Sequence, residues 1–360
     1  MLNENKFILE LCKFKNAEQE QLVTLMEHPL DYPYILGHLL YNRVGGIAYY
    51  VLKKYGLLHR VNREFRNTIK SIYETNLEKT NSFIKALKGL SPVCKRLAFP
   101  YALLKGAYLV DLYPRGLRTS NDIDILIEPQ NITKLSVELK LENFEQGHIS
   151  NEEFVPANRM EIISSRMNRG ETVPFVKEIS LPRMRHLEID VNFSLGFRPG
   201  LDNALVHDFL QNTPLCIQGG LATLDKIDFL IHLCAHLYKE ATVMKWVEMG
   251  RDISLYKYCD IYLFIQTFGT EDFWDTLVQR VNSIGLQKEC YYAIFYTKML
   301  FSIENQAIDV ALGDIKPVDL AFLKQIVEPS TDKIYAFDMD YVDWVFCGNR
   351  KEHLHEIENV

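Results

Sequence analysis

The sequence predicts a mixed α/β domain held between two helical regions, and three observations support this prediction. Apolar residues in 1–92 recur at spacings of three and four, as they do on one face of a helix. The same spacing returns in 201–360. Between them, 93–200 has short apolar runs broken by glycine and proline, in the order strand, helix, strand, helix, strands. We therefore predict an N-terminal helical region (1–92), a central α/β domain (93–200) and a C-terminal helical region (201–360).

The central region contains five predicted strands. The first is PYALLK at 100–105, and the second is DIDILIE at 122–128. Pro129 follows the second strand and suits the start of a helix in ITKLSVELKLEN. Three later runs are also predicted as strands: MEIISSRM, TVPFVKEIS and HLEIDVNFSL. The end of the chain, NRKEHLHEIENV, is predicted to be a charged or frayed helix end.

Composition excludes several classes of function. The formal net charge of −7 argues against a broad grip on DNA or RNA, which needs a basic surface. The polar start MLNENKFILELCKFKN does not resemble a signal peptide, and no apolar run approaches the ~18 residues of a membrane span. The seven cysteines are scattered and form no C-x-x-C pair. We expect a cytoplasmic protein with reduced thiols and no membrane partner.

Two aspartates inside an apolar strand are the strongest chemical signal. Asp122 and Asp124 are two positions apart, so both side chains should point to the same face of the strand. Two ionised carboxylates at that distance repel each other, and a low dielectric strengthens the repulsion. A divalent cation such as Mg²⁺ would compensate them, since carboxylate oxygens are its preferred ligands. The alternative is a solvated strand end or an Asx-capped turn.

Three neighbouring features favour a site that binds phosphate and metal. The turn at 104–107, Leu-Lys-Gly-Ala, should lead from a strand into a helix, and a helix start of this kind can hold phosphate. Arg118 lies between that turn and the aspartates and could contact a triphosphate. Asp190 is a further acid in a strand-like run, where it shares a face with Glu188 and Asn192.

With these residues in view, the chain resembles the DNA-polymerase-β-like nucleotidyltransferase superfamily. Within that superfamily it is similar to the uncharacterised nucleotidyltransferase family (family 5-like), whose members read roughly "LLKG…LYP…R…DIDLLV". This chain has LLKGAYLVDLYPRGLRTSNDIDILIE. The helical stretches ILGHLLYNRVGGIAYYVL, HLCAHLYKE and YKYCDIYLF resemble the flanking regions of that family.

The resemblance implies a polymerase-β-like core with helices on both sides and nucleotidyl transfer by two metal ions. Asp122, Asp124 and Asp190 would be the catalytic residues and would hold Mg²⁺ or Mn²⁺. An NTP, with ATP favoured, would donate NMP to a hydroxyl or phosphate, and pyrophosphate would leave. The residues expected to bind the nucleotide are Lys105, Gly106, Ala107 and Arg118.

Two positions depart from the family pattern. Superfamily members often carry Gly-Ser or Gly-Gly at the turn, and Ala107 has no hydroxyl with which to touch a phosphate. Where many relatives have His-Trp after the third acid, this chain has Asn192 and Phe193. Neither change removes a predicted metal ligand.

The acceptor is open at this stage. The acidic chain favours a small molecule, a peptide or a protein over long nucleic acid. Two alternatives to this enzyme are a non-catalytic scaffold that binds a nucleotide or a partner, and a toxin that nucleotidylates tRNA or protein. A growth defect that disappears with Asp122→Ala would favour the toxin.

Two further patterns have simpler explanations. His232 and His236 would share a helix face, but Leu233 replaces the glutamate of H-E-x-x-H, so packing is favoured over zinc binding. The arginine-rich stretch 159–185 could form a basic rim beside the site, and a solvated hairpin is the favoured interpretation.

Overall fold

A computed structural model describes residues 1–195, 201–211, 215–217 and 219–357. It is a mixed α/β structure, as the sequence predicts. The chain forms two compact units: one comprises Met1–Glu74 and Leu233–Val360, and the other comprises Thr75–His232. The division at 92 and 200 that the change in sequence pattern indicates stays a prediction.

The helices begin and end as follows: α1 (Asn3–Leu11), α2 (Gln19–Met26), α3 (Tyr32–Tyr41), α4 (Gly45–Lys54), α5 (Arg63–Gly89), α6 (Ser91–Arg96), α7 (Gly106–Leu112), α8 (Ile132–Leu141), α9 (Arg159–Asn168), α10 (Asn203–Gln211), α11 (Lys226–Thr242), α12 (Met244–Glu248), α13 (Leu255–Phe268), α14 (Glu271–Ile284), α15 (Gln287–Leu300), α16 (Gln306–Asp314) and α17 (Tyr341–Phe346). Short 3₁₀ turns lie at Phe14–Asn16, Leu57–Arg60, Pro129–Asn131, Ala321–Lys324 and Arg350–His353.

The strands are β1 (Tyr101–Leu103), β2 (Asp122–Ile127), β3 (Glu145–Ser150), β4 (Glu153–Pro156), β5 (Phe175–Leu181), β6 (Met184–Asn192), β7 (Leu215–Ile217), β8 (Leu221–Thr223), β9 (Gln325–Glu328), β10 (Lys333–Ala336) and β11 (His355–Ile357). Strands β1–β8 form one sheet in the order β4-β3-β5-β6-β2-β1-β8-β7. Strands β9–β11 form a second sheet in the order β11-β10-β9.

The larger sheet is the core of unit Thr75–His232, and β2 lies inside it. Strand β2 runs parallel to β6 and antiparallel to β1. From Ile123 to Ile127 it is buried at every position, which explains the run of isoleucine and leucine around Asp124. An interior strand of this kind holds its polar side chains in a fixed place.

The prediction of a strand at MEIISSRM is wrong, because these residues belong to α9. Asn158 accepts hydrogen bonds from the backbone N–H groups of Met160 and Glu161, and the Glu161 carboxylate accepts one from the Asn158 N–H. This capping box nucleates the helix and outweighs the local strand preference of two adjacent isoleucines. The predicted strands at TVPFVKEIS and HLEIDVNFSL are confirmed as β5 and β6.

The other unit is mainly helical, as predicted for both ends of the chain, and it also contains the small sheet. The prediction of a helical or frayed end at NRKEHLHEIENV is wrong for His355–Ile357, which form β11 and pair antiparallel with β10. Charged residues alternate there with few apolar ones, so the strand depends on pairing with β10 rather than on its own pattern. The backbone hydrogen bonds with β10 stabilise a strand that its own sequence pattern does not favour.

Several buried polar groups in this unit form hydrogen bonds or ion pairs with one another. Arg350 donates to both carboxylate oxygens of Asp252, at 2.7 and 2.6 Å, and both side chains are almost inaccessible to solvent. The hydroxyl groups of Tyr258 and Tyr292 each form a hydrogen bond with the hydroxyl group of Tyr341, and all three side chains are buried. The tyrosines there pack in a core, as the sequence indicates.

His236 Nδ1 lies 3.2 Å from Glu240 Oε2.

Among the described residues, no helix combines the length and the apolar content that crossing a bilayer requires.

Candidate active site

The candidate site lies where β2 and β6 run side by side. The parallel register sets Asp124 directly opposite Asp190 and Asp122 directly opposite Glu188. Because residues i and i+2 of a strand share a face, the acids on both strands project to one side of the sheet. The structure therefore brings together the three aspartates that the sequence predicts as catalytic.

Asp124 is the most enclosed of the three and has two donors. It is 7% exposed, and its Oδ1 lies 2.8 Å from Lys105 Nζ in an ion pair. The side-chain amide of Asn192 also donates to Oδ1, at 3.4 Å. The same amide donates to the backbone carbonyl of Asp190 at 3.1 Å, so Asn192 links the two strands at the site.

Asp122 is half-buried and has a different partner. Its Oδ1 accepts a hydrogen bond from Ser120 Oγ at 2.8 Å. Ser120 was not predicted as a site residue, although it continues the alternation of Asp122 and Asp124 on the same face. That alternation is a signal in the sequence that could have identified it.

Asp190 carries the largest electrostatic effect at the site. Burial, followed by the charges of Asp124 and Asp122, raises the pKa of the Asp190 carboxyl to about 8, while Lys105 acts in the opposite direction. Burial and the charge of Asp122 also raise the pKa of Glu188. The cluster holds more negative charge than Lys105 balances, which is the condition that a bound cation relieves.

Glu171 is a further acid that the sequence did not indicate. It forms an isolated antiparallel bridge with Asn192, and its charge contributes to the raised pKa of Asp190. It follows a turn at Gly170, outside any strand, so no periodicity marks it. Its place beside the site depends on the pairing of 170–172 with the end of β6.

The turn at Lys105 and Gly106 is more crowded than the sequence suggests. A Cβ atom on Gly106 would lie 2.7 Å from Ser120 Oγ and 2.9 Å from Ser120 Cβ, which is closer than such contacts allow. Helix α7 is only seven residues long, and the N–H groups of Ala107 and Tyr108 already donate to backbone carbonyls. The glycine is required by its close packing against Ser120. Its contact with a nucleotide, and that of Ala107, stay predictions.

Arg118 is half-buried in the loop between α7 and β2. It donates to the carbonyl of Thr119 at 2.5 Å, and its own carbonyl accepts a hydrogen bond from Thr80 Oγ1 at 3.1 Å. The bond from Thr80 joins the loop to α5. A phosphate contact by its guanidinium stays a prediction.

Carboxylates are the ligands that a hard cation prefers, and the register sets the three aspartates on one face of the sheet. Within the described ranges, no group of three or more His, Cys, Asp and Glu side chains is gathered closely enough to hold a metal ion. At Asp124, Oδ1 forms an ion pair with Lys105. A metal at Asp122, Asp124 and Asp190 therefore stays a prediction that requires side-chain movement.

The comparison with protein families identifies the class of protein. Residues 30–302 match the family described as uncharacterised nucleotidyltransferase, which is most of the chain. The protein belongs to this family, as the motif LLKG…DIDILIE indicated. No curated protein and no solved structure shows a significant match.

Proposed function

We propose that this protein transfers NMP, with AMP favoured, from an NTP to a hydroxyl or phosphate group of an acceptor. The single observation that supports this most directly is the register of β2 and β6, which sets Asp124 opposite Asp190 with Asp122 on the same face. Membership of a nucleotidyltransferase family supports the class of reaction.

Asp122, Asp124 and Asp190 would hold Mg²⁺ or Mn²⁺, and a metal bound there supplies charge for the triphosphate and a lowered pKa for the acceptor hydroxyl. In the two-metal scheme, Asp122 and Asp124 would face the triphosphate, and Asp190, opposite Asp124 on the neighbouring strand, would face the acceptor. Lys105 and Arg118 would contact the phosphates of the nucleotide with their cationic groups. Asn192 orients Asp124 by its amide hydrogen bond.

The favoured acceptor is a small molecule, a peptide or a protein. The formal net charge of −7 disfavours long nucleic acid, because a phosphate backbone would be repelled over much of the surface.

A non-catalytic nucleotide-binding scaffold is the second candidate. The observations in its favour are the Lys105–Asp124 ion pair and the lack, in the described part of the chain, of three acids close enough to hold a metal ion. A scaffold would keep nucleotide binding and show no turnover.

The experiment offers α-labelled NTPs and Mg²⁺ to the purified protein with a fractionated cell extract. The matched control is the Asp122→Asn, Asp190→Asn double variant. We expect pyrophosphate release and label in a small-molecule or protein fraction, both abolished by EDTA and by the double variant. Release that persists in EDTA would contradict the metal-dependent scheme, and nucleotide binding without release would support the scaffold. Label confined to RNA would overturn the proposed acceptor class.

A further inference from the structure

The ion pair between Lys105 and Asp124 is built into the site rather than formed by two loose surface chains. The side chains are 24% and 9% exposed, and the ammonium nitrogen lies 2.8 Å from Oδ1. Oδ1 also accepts from the Asn192 amide at 3.4 Å. One carboxylate oxygen of the central acid is thus occupied by two donors from the protein itself.

The backbone around Lys105 fixes where its side chain starts. Lys105 has φ +44° and ψ −116°, a conformation that a residue with a Cβ atom adopts only under constraint. The preceding N–H of Leu104 donates to the carbonyl of Asp124 at 2.9 Å. The Lys105 carbonyl in turn accepts from the N–H groups of Tyr108 and Leu109. These bonds hold the strained Lys105 beside β2. From this position the Lys105 side chain reaches Asp124.

Asp124 has two acidic neighbours on the same face of the sheet. Asp190 lies opposite it on β6, and Asp122 lies two residues away on the same face. Ionised carboxylates on neighbouring positions of one face repel each other in a partly buried site. Without a metal ion, the Lys105 ammonium offsets part of this repulsion. A divalent cation bound to Asp124 would offset it in the same place.

We propose that Lys105 is a positioning residue that stands in for a divalent cation at Asp124 and leaves Oδ1 when the cation binds. This inference depends on the proposed function, since it assumes that Asp122 and Asp124 take up a metal. It adds a competition within the protein: metal alone binds weakly because it must displace the ammonium. When a triphosphate accompanies the metal, the displaced ammonium gains an anionic partner, so nucleotide and metal favour each other's binding.

Mn²⁺ alone is the probe, and its affinity is measured by electron paramagnetic resonance on the full chain without nucleotide. Lys105→Met removes the charge and keeps a similar shape, and Lys105→Gln is a second neutral variant with a hydrogen-bond donor. Lys177→Met is the matched control. It removes one positive charge from the same sheet, where Lys177 lies over the Phe144 ring, 5.5 Å from its centroid. Asp122→Asn identifies the part of Mn²⁺ binding that belongs to the site.

We expect the neutral Lys105 variants to bind Mn²⁺ alone about tenfold more tightly or better, with Lys177→Met close to wild type. Affinity for Mg²⁺ with a non-hydrolysable NTP analogue, measured by calorimetry, should fall in the same variants. Circular dichroism confirms that each variant is folded, and added Mn²⁺ should raise the melting temperature of Lys105→Met more than that of wild type.

The outcomes separate the inference from the proposed function. If wild type binds Mn²⁺ in a way that depends on Asp122, and the neutral Lys105 variants bind it no better, Lys105 does not compete and the inference is overturned. If none of these proteins binds a divalent cation through Asp122, either alone or with the NTP analogue, both the inference and the metal-dependent function are overturned. If Lys105→Met is unfolded, the same comparison is made with Lys105→Gln.

Discussion

Asp124 and Asp190 lie directly opposite each other on neighbouring parallel strands, and they are drawn from positions far apart in the sequence. This pairing joins two acids that periodicity alone could only place on separate strands. It also puts Glu188 opposite Asp122, so the alternation of acids on β6 repeats that on β2. The first prediction depends on this register.

Asp190 and Glu188 should differ in their effect on catalysis. We expect Asp190→Asn to lower nucleotidyl transfer by about two orders of magnitude or more while keeping affinity for NTP with metal, because Asp122 and Asp124 remain. Glu188→Gln should keep most of the activity. A transfer assay, with NTP affinity measured by calorimetry, distinguishes them. The opposite pattern would show that Glu188, which lies opposite Asp122, is the acid required for nucleotidyl transfer.

Asp122→Asn and Asp124→Asn should both remove activity but should differ in stability. Asp124→Asn removes the ion pair between Lys105 and Asp124, so we expect a loss of about 1–3 kcal/mol in the free energy of unfolding. Asp122→Asn keeps an acceptor for Ser120 and relieves repulsion, so its metal-free stability should match or exceed that of wild type. Urea unfolding of both variants measures the difference. Equal stability would mean that the Lys105–Asp124 pair contributes nothing.

Gly106→Ala should reduce stability through Ser120 rather than only weaken nucleotide binding. The added Cβ would lie 2.7 Å from Ser120 Oγ, so Ser120 must move and weaken its bond to Asp122. We expect a cost of about 1–3 kcal/mol in thermal or urea unfolding. Adding Ser120→Gly should restore part of it, measured against Ser120→Gly alone. A Gly106→Ala protein of normal stability with weaker NTP affinity would show that the glycine is needed for the phosphate instead.

His38 should give the helical unit a dependence of stability on pH. Its ring lies between Tyr34 and Phe346, its Nδ1 is buried without a hydrogen-bond partner among the described residues, and burial lowers its pKa. The unfolded chain therefore takes up a proton near pH 6.5 that the folded protein resists. The stability that the folded protein gains from a neutral His38 is present above about pH 6.5. It is lost as the pH falls toward the pKa of His38 in the folded protein.

The measurement compares melting temperatures of wild type and His38→Phe between about pH 7.5 and pH 5, bracketing the ordinary histidine pKa. Wild type should lose more stability over this range than the variant. Parallel curves would mean that His38 takes up its proton equally in both states.

Features that depend on local periodicity could be predicted from the order of the amino acids. Alternation in DIDILIE places Asp122 and Asp124 on one face of a strand, and spacings of three and four mark the helices at both ends of the chain. The motif from Leu103 to Glu128 is contiguous, so the amino-acid order is enough to indicate the family. Each of these signals lies within a short stretch of chain.

The way in which these stretches combine depends on the folded chain. The order of strands puts β2 between β6 and β1, and the register across β2 and β6 pairs Asp124 with Asp190. The contact of Lys105 with Asp124 and that of Gly106 with Ser120 depend on a strained turn closing onto β2. Strand β11 forms because β10 supplies its hydrogen bonds. Such contacts join residues distant in sequence, and their free energies come from pairing and packing that no single segment encodes.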